Sequence, residues 1–411
     1  MKKLLIIGFV WPEPSSTAAG TRMLQLIELF QKNNFNITFA CSAAKTTNSF
    51  NLESLNIECK EIALNCSSFD KFIKNLQPNY VLFDRFLTEE QFGWRVSEVC
   101  PETIRILDTE DLHFLRKSRE LALKDNKTDF LEYLHNDITI REIASIYRCD
   151  LTLIISKYEK TLLTKFFNIN KSLLIYIPFL LESLKLEKLR SYPTFTDRKN
   201  FVSIGNFKHK PNWNAVLNLK HHIWPIIKEK LPNSELHIYG AYCTEKVFQL
   251  NNNSEGFIVK GWAKDIENVF KHSRVCLAPL EFGAGLKGKL INSMEFGTPN
   301  VTTSIGAESM HGNLNWNGFI CNDNETFSLK AVELYSSSKI WEEFQNNGVK
   351  IINKCYSKKK FETKLLTKIK VIENNLKLHR KMNFIGCMLS HHTLKSTKYM
   401  SKWIEEKNKI N

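Results

Sequence analysis

Strand-like and helix-like segments alternate along this chain, and the alternation runs through it twice. In the first half, the apolar run LLIIGF (4–9) precedes a segment in which Met23, Leu26, Ile27 and Phe30 have the spacing of one helix face. Successive βα units of this kind predict a parallel sheet that is covered by helices on both faces.

A charged segment over 180–200 separates two series of predicted strands. We therefore expect an α/β protein with domains at 1–180 and 195–350 and a basic helical tail at 351–411. Residues 129–149 predict one long helix. The remaining predicted strands are NITFACS (36–42), IECKEIAL (57–64), YVLFD (80–84), IRILD (104–108), LTLII (151–155), LLIYIPF (173–179), FVSIGN (201–206), ELHIYGA (235–241), FIVKGW (257–262), VCLAPL (275–280), NVTTS (300–304) and GFIC (318–321). Two such units facing each other create a cleft at the carboxyl ends of their strands.

The net charge of +14 is concentrated in the tail, where residues 357–411 contain 14 Lys/Arg and 4 Asp/Glu. Such a segment suits a nucleic acid, an anionic membrane surface or a solvated helix face. We expect no nucleic-acid partner, because no zinc spacing, RNP-like aromatic strand or helix-turn-helix pattern accompanies the charge. The membrane surface and the solvated helix packed on the N-terminal domain both stay open, and both can hold together.

Three observations bear on the location of the protein. The ten cysteines form no CxxC pair and no zinc spacing, which predicts reduced thiols in the cytoplasm. No apolar run reaches the roughly 18 residues of a spanning helix. Lys2-Lys3 and the apolar run after them imitate a short signal peptide, but the run is short and WPEP follows at once, so a buried strand is the preferred interpretation.

The stretch FGAGLKGKLINSMEFGTPNVTT (282–303) has the composition of an anion-binding loop. Three glycines and two lysines surround the start of its predicted helix: Gly283, Gly285, Gly288, Lys287 and Lys289. Glycines let the backbone approach a ligand closely, and a helix N-terminus attracts phosphate. The spacing is not that of a Walker loop, and Lys45 follows the second strand where a dinucleotide-binding fold has an acid, so an oxidoreductase is disfavoured.

This stretch resembles the donor-binding segment of GT-B glycosyltransferases, in the family-4-like group of retaining enzymes (glycosyl transferases group 1). Three other pieces resemble the same proteins in the same order: GFVWPEPSSTAAGTRMLQLIELF near the N-terminus, FVSIGNFKHKPNWNAV, and ELHIYGAY with FIVKGWAKDIENVF. The resemblance covers about residues 1–350. It implies two Rossmann-like, doubly wound domains that face a cleft, with C-terminal helices packing back.

The resemblance also implies roles for individual residues. Lys289 is expected at the diphosphate, Lys287 at its periphery, and Arg22 either facing the cleft or on the surface. The donor-binding residues that it implies are Gly20, Arg22, Gly205, Asn206, Ala263, Lys264, Gly283, Gly285, Lys287 and Asn292. The catalytic residues that it implies are Lys289, Asp111 and His113, with Asp108 also on the acceptor side.

Some positions depart from the family pattern. Asn292 and Ala284 stand where many relatives have two glutamates, and Asn206 stands where many have an arginine. Asn292 can still exchange hydrogen bonds with a ribose. Glu295 is predicted to lie about 60–80° from the donor-facing side of the helix. These departures leave open a weakened or inactive protein.

We expect a hexosyltransferase-type enzyme that moves a sugar from a nucleoside-diphosphate sugar to a hydroxyl of a saccharide or lipid-linked acceptor. We also expect transfer with retention of configuration and a role in the assembly of surface polysaccharide or glycolipid. The expected location is the cytoplasm, at the inner face of the membrane. The alternatives are a nucleotide-sugar epimerase of the same fold and a catalytically weak or non-enzymatic binding subunit. The DTED element (108–111) resembles an Asp-x-Asp metal site of another glycosyltransferase fold, but the two-unit layout argues against that fold. We therefore expect no essential metal and no cofactor.

Overall fold

The computed structural model describes residues 1–409, without the side chains of Leu186, Leu189 and 392–394. Residues 410 and 411 of the predicted tail lie outside the described residues. Two parallel sheets form the centre of the chain, the first with seven strands in the order β3-β2-β1-β4-β5-β6-β7 and the second with six in the order β10-β9-β8-β11-β12-β13. Their strands are β1 (Lys2–Gly8), β2 (Phe35–Cys41), β3 (Glu58–Glu61), β4 (Tyr80–Asp84), β5 (Ile104–Asp108), β6 (Leu151–Ile154), β7 (Leu174–Tyr176), β8 (Lys199–Ile204), β9 (Leu236–Tyr239), β10 (Phe257–Gly261), β11 (Ser273–Ala278), β12 (Asn300–Thr302) and β13 (Gly318–Ile320). Every strand that the sequence predicted is present.

Eighteen α-helices surround and extend the sheets in the described chain. They are α1 (Ala18–Lys32), α2 (Ser68–Leu76), α3 (Arg85–Val99), α4 (His113–Lys124), α5 (Asp137–Arg148), α6 (Lys157–Lys165), α7 (Leu186–Arg190), α8 (Lys210–Asn218), α9 (Trp224–Lys230), α10 (Glu245–Phe248), α11 (Ile266–His272), α12 (Gly288–Glu295), α13 (Ser304–Ala307), α14 (Asn324–Ser336), α15 (Ser338–Cys355), α16 (Lys358–Asn374), α17 (Leu376–Met382) and α18 (Phe384–Asn408). In this part of the chain, no helix is both long and apolar enough to cross a bilayer.

The predicted helix over 129–149 is two elements in the structure. A 3₁₀ turn covers Leu131–Leu134, and α5 begins only at Asp137. The break occurs at Asn136, whose side chain accepts a hydrogen bond from the backbone N–H of Thr139 at 3.2 Å. An asparagine that caps a helix in this way favours a helix start over a helix interior, so the apolar spacing alone overestimated the length.

The strand order of both sheets reverses at the centre. In the first sheet the chain moves outward from β1 to β3, then returns to β4 on the other side of β1. The second sheet repeats this reversal between β8 and β11. Loops diverge from the carboxyl ends of the strands at such a reversal, which leaves a crevice where ligands bind in open parallel sheets.

The C-terminal helices pack on both halves, as the sequence predicted. Helix α15 lies against α12 through an apolar cluster that includes Met294, Val349 and Ile352. After α15 the chain passes beside the segment that follows β7, where Leu181 and Ser357 form an isolated β-bridge. Beyond this point α16 packs against the first sheet, on the side that α1 also covers.

A buried ion pair ties α1 to the first sheet. Arg22 is 1% exposed, and its Nη2 lies 2.7 Å from Oδ1 of Asp108 at the end of β5. Its Nε donates to the same carboxylate, while Nη1 donates to the carbonyl oxygens of Ile177 at 2.8 Å and Pro178 at 3.2 Å. One guanidinium therefore joins a helix, a strand and the segment that leaves the first domain.

Arg22→Met is expected to lower the free energy of unfolding by about 3–5 kcal/mol, because Asp108 would stay buried without its counter-ion. Urea unfolding followed by circular dichroism measures the change. Arg190→Met, at an exposed position of α7, is the matched control. The double variant with Asp108→Leu should lose less than the single variant. A single-variant loss below about 1 kcal/mol would contradict the role of this pair.

Candidate functional site

A cavity of about 760 Å³ lies between the two sheets, at the carboxyl ends of their central strands. Residues after β1 and β4 form one wall, among them Phe9, Asp84 and Arg85. The opposite wall comes from Gly205 after β8 and from the glycine-rich loop after β11. The cavity thus occupies the crevice that the two strand reversals create.

Two helix N-termini meet in this cavity. Helix α12 begins at Gly288 and α1 begins at Ala18, and a Cβ added to Gly288 would come within 2.6 Å of the Cβ of Ala18. Neither first turn contains an acidic residue, and α12 has no side-chain cap. Two sets of backbone N–H groups and two positive dipole ends therefore converge on one place, which favours an anionic ligand.

The glycine-rich loop approaches the first domain closely because the residue at the contact is a glycine, which has no side chain. Gly285 has φ +65°, and a Cβ at this position would meet the Cβ of Asp111 at 2.8 Å. Its backbone N–H donates to Oε1 of Glu159, in α6, at 2.8 Å. Both the left-handed backbone and the close approach require glycine here.

Two lysines of this loop line the cavity. The ammonium of Lys287 donates to the carbonyl oxygens of Ala284 at 3.0 Å and Gly285 at 2.8 Å, which folds it onto its own loop. The ammonium of Lys289 donates to Oδ1 of Asn212 at 2.8 Å. Burial lowers the pKa of each lysine to about 8. An anion bound beside them would favour the protonated form and raise these pKa values.

Comparison with known proteins agrees with this geometry. Residues 198–337, which include the loop and α12, match the family model for glycosyl transferases group 1. Sucrose-phosphate synthase from Thermosynechococcus elongatus superposes with a TM-score of 0.66 and 12% identity, over 90% of this chain and 99% of that one. The fold is GT-B. This confirms the resemblance on which the sequence analysis relied.

Two further GT-B structures were solved with ligands. A TarM mutant of S. aureus, in complex with fondaparinux, alpha-GlcNAc-glycerol and UDP, has a TM-score of 0.69 and 8% identity, over 90% of this chain and 99% of that chain. Anabaena HepE, in complex with UDP and glucose, has a TM-score of 0.64 and 11% identity, over 90% of this chain and all of that chain. No sequence among the curated proteins is significantly similar to this chain.

Most of the residues that the sequence singled out come together in the GT-B cleft. The predicted site residues that line the cavity are Gly20, Gly205, Asn206, Ala263, Gly283, Lys287, Lys289, Asn292, Asp111 and His113. They come from both domains, so the cleft assembles residues that are far apart in sequence.

Four predicted site residues do not line the cavity. Arg22 and Asp108 pair with each other beneath it, so Arg22 lies neither in the cleft nor on the outer surface. Lys264 is exposed outside it, while its neighbour Ala263 is buried in the wall. Gly285 contributes through its backbone contact across the gap rather than as a lining residue.

The positions that depart from the family pattern, Asn206, Ala284 and Asn292, line the cavity on the side of the second sheet. Asn292 and Glu295 both line the cavity, one helical turn apart on α12. Glu295 therefore lines the same cavity as Asn292 even though the helical repeat offsets the two residues around the axis. Asn206 holds a turn instead of presenting charge, because its Oδ1 accepts a hydrogen bond from the N–H of Lys208 at 2.9 Å.

The cavity wall that follows β5 of the first sheet contains a charged group around Asp111. Burial raises the pKa of this carboxyl, but the charge and the hydrogen bond of Arg116 outweigh it, and the pKa is held below its usual value. Arg116 donates directly to Asp111, and Nε2 of His113 lies 3.6 Å from Oδ1 of the same carboxylate. Burial lowers the pKa of His113 to about 3, so its imidazole is neutral at physiological pH.

Sequence analysis missed two buried acids that line the cavity, Asp84 and Glu110. Oδ1 of Asp84 and Oε1 of Glu110 are buried and have no hydrogen-bond partner among the described residues. Burial raises the pKa of both carboxyl groups. A sequence signal for them existed, because YVLFD ends in Asp84 and DTED contains Glu110, each at the carboxyl end of a central strand.

Contacts across the cleft hold the two domains together in this conformation. Arg119 of α4 pairs with Glu308 at 2.6 Å and also donates to the carbonyl oxygen of Gly283 at 2.8 Å. Glu159 accepts from the N–H groups of Gly285 and Leu112. Burial raises the pKa of Glu159 to about 7, and the charge of Asp111 adds to this effect.

The raised pKa of Glu159 predicts a pH-dependent contribution to stability. The native carboxyl ionises near pH 7, against a usual value of 4.5. Its proton therefore stabilises the folded state at low pH, and this stability is lost as the pH rises to about 7. Glu159→Gln cannot ionise, so its stability relative to the native protein should rise by about 3 kcal/mol between pH 4 and pH 8.

Melting temperatures of both proteins across this pH range measure the difference. Glu343→Gln, at an exposed position of α15, is the matched control and should track the native protein at every pH. A constant offset between Glu159→Gln and the native protein would contradict the assignment.

Proposed function

We propose that the protein is a glycosyltransferase that moves a sugar from a nucleoside-diphosphate sugar to a hydroxyl group of an acceptor. The observation that carries this proposal is the convergence of two helix N-termini with Lys287 and Lys289 in the cleft of a GT-B fold. Buried carboxyl groups on the opposite wall complete a site with one half for an anion and one half for hydroxyl groups.

The donor half suits a diphosphate leaving group. Negative charge develops on the diphosphate as the bond to the anomeric carbon breaks, and fixed N–H groups and ammonium groups stabilise it without reorganising. Lys289 is the principal cation in this proposal, since Lys287 already donates to two carbonyl oxygens of its own loop. With a pKa of about 8, Lys289 is largely protonated at neutral pH even before an anion binds.

The wall beside β9 and β10 suits the nucleobase. Gly240 lines the cavity, and a Cβ there would come within 2.1 Å of the carbonyl oxygen of Gly205. Ala263 is buried in the same wall. Gly240 is therefore needed for packing within the wall itself, and we propose that the base packs against the backbone around Ala263. The UDP complexes of TarM and HepE make uridine the first base to test.

The acceptor half suits sugar hydroxyl groups. Asp84 and Glu110 line the cavity, and each has one carboxyl oxygen without a hydrogen bond among the described residues, although that of Asp84 lies 3.6 Å from Nε of Arg85. Arg116 holds Asp111 ionised. Carboxyl oxygens accept hydrogen bonds from hydroxyl groups and orient them toward the anomeric carbon. His113 is neutral, so it contributes a hydrogen bond rather than a charge to an oxocarbenium-like transition state. Transfer with retention is proposed from the match to glycosyl transferases group 1.

The positive charge in the site comes from the protein itself, so we propose that transfer needs neither a metal ion nor a cofactor. The proposed acceptor is a saccharide or a lipid-linked saccharide, in the assembly of surface polysaccharide or glycolipid at the cytoplasmic side of a membrane. The saccharides bound in the solved relatives differ from one another, and the fold is common to these relatives.

Replacement of Lys289 is expected to abolish recognition of a diphosphate. UDP, GDP, ADP, TDP and CMP are compared by thermal shift, and a nucleotide at 100 times its dissociation constant should stabilise the protein by about 2.7 kcal/mol. Lys289→Met keeps the buried apolar volume but removes the charge, so we expect it to bind the nucleotide at least tenfold more weakly. Lys350→Met, at an exposed position of α15 outside the cavity, is the matched control and should respond as the native protein does.

The other outcomes of this screen are informative. If no nucleotide shifts the native protein at millimolar concentration, Asn292, Ala284 and Asn206 mark a lost donor site, and a non-enzymatic binding subunit replaces the proposed enzyme. If Lys350→Met loses the response as fully as Lys289→Met, the loss does not come from the cleft, and the assignment of the phosphate to Lys289 is wrong.

Transfer itself is expected to persist in excess EDTA, since Lys289 and the helix N-termini take the place of a metal. The assay supplies the nucleotide sugar that matches the base identified by thermal shift, with saccharide and lipid-linked acceptors, and measures sugar on the acceptor. Activity that returns only with added Mg²⁺ would contradict metal independence. Inversion of the donor sugar without transfer would identify the epimerase instead.

A further inference from the structure

The last helices carry an outward face that is apolar and basic together. Eight large side chains between residues 378 and 403 are 44–72% exposed: Leu378, Met382, Phe384, Ile385, Met388, Tyr399, Met400 and Trp403. Monomeric proteins rarely leave so many large apolar groups in water along one segment, and such patches mark interaction sites.

This segment is anchored firmly on its inner side. Arg380 pairs with Asp150 at 2.8 Å and donates to the carbonyl oxygen of Thr103 at 2.7 Å. Further along, Arg95 donates to Oγ of the buried Ser401 at 3.1 Å, and Oε1 of Glu405 accepts from the N–H of Ser67 at 2.9 Å. The exposed face is therefore the outer side of a docked helix.

The outer face of α18 combines the two kinds of residue. At 100° per residue, Phe384, Met388, Lys395, Tyr399 and Lys402 fall within about 60° of one another around the helix axis. Gly386 and Ser401, which are buried, lie on the opposite side. We define the five outward residues, with Leu378, Met382, Lys377 and Lys381 of α17, as the tail surface.

The lysines of the tail surface have no acidic partner among the residues that the structure describes. Lys377, Lys381, Lys395 and Lys402 are exposed and take part in none of its salt bridges. The basic groups that do pair with acids in this segment, Arg380 and Lys398, belong to the anchoring side. The tail surface thus offers unneutralised positive charge between exposed apolar side chains.

We propose that the tail surface docks the protein onto a bilayer that contains anionic lipid. Aromatic, methionine and leucine side chains enter the boundary between headgroups and acyl chains, while lysines extend along it to the phosphates. A second copy of the chain is a poor occupant, because the segment that starts at residue 357 has a net charge of +10 and would repel itself. A nucleic acid would leave the aliphatic side chains unpaired.

Docking would bring the cleft to a membrane-borne acceptor, and only this consequence rests on the proposed function. The docking itself is independent of sugar transfer, since the tail surface lies on α17 and α18 and shares no residue with the lining of the cavity. Membrane binding and nucleotide binding can therefore fail or succeed separately.

Sedimentation with vesicles tests the proposal on the full chain. We expect binding to phosphatidylcholine vesicles that contain phosphatidylglycerol, and binding at least tenfold weaker to phosphatidylcholine alone. Lys395→Gln with Lys402→Gln should weaken the first by about thirtyfold, since each lysine near an anionic surface contributes about fivefold. Phe384→Ser with Met388→Ser should weaken it at least tenfold.

Matched pairs elsewhere control for general loss of charge or apolar surface. Lys230→Gln with Lys350→Gln and Ile140→Ser with Leu329→Ser change exposed residues outside the tail and should bind as the native protein does. Unchanged melting temperature and nucleotide response show that each variant is folded.

Four results would overturn the proposal. The first is that the protein binds neither kind of vesicle, and the second is that the control pairs lose as much vesicle binding as the tail variants. The third is that the protein forms dimers that Phe384→Ser with Met388→Ser abolishes. The fourth is that an oligonucleotide binds as tightly as the vesicles and competes with them. The third result would assign the surface to a second copy, and the fourth to nucleic acid.

Discussion

The close approach of two backbones organises the cleft. Gly285 and Gly288 have no side chains, so the loop after β11 reaches the loop after β5 and the start of α1. A Cβ at either position would press on the other domain at less than 3 Å. The same approach sets the N-termini of α1 and α12 beside each other, and so the anion half of the site depends on it.

Burial determines the charge states in this cleft. Removal from water lowers the pKa of Lys287 and Lys289 to about 8 and raises that of Asp84 and Glu110, so burial opposes the charged form of each of these four groups. Asp111 is the exception, because Arg116 contacts it directly. A ligand with a diphosphate and free hydroxyl groups would complement this arrangement. The phosphates favour protonated lysines, and the carboxyl oxygens accept hydrogen bonds from the hydroxyl groups.

Much of this could be read from sequence, and the failures have physical reasons. The strands were predictable because runs such as YVLFD are buried on both faces and bounded by polar segments. Helix length was less predictable, since the capping side chain of Asn136 overrode the apolar spacing around it. Lys289 was expected in the cleft only because FGAGLKGKL resembles the donor-binding segment of GT-B glycosyltransferases. Arg22 was not placed, because only the fold shows that Asp108, 86 residues away, lies next to it.

The sequence by itself determined the two α/β units, the parallel sheets, the loop rich in glycine and lysine, and the basic tail, because periodicity, glycine and charge act over a few residues. The tertiary structure decided which side chains share a cavity, which ions neutralise each other in the core, and which lysines of the tail are left unpaired. Those properties depend on distances between segments that are remote in the chain and on burial, and both exist only once the two domains and the returning helices have packed.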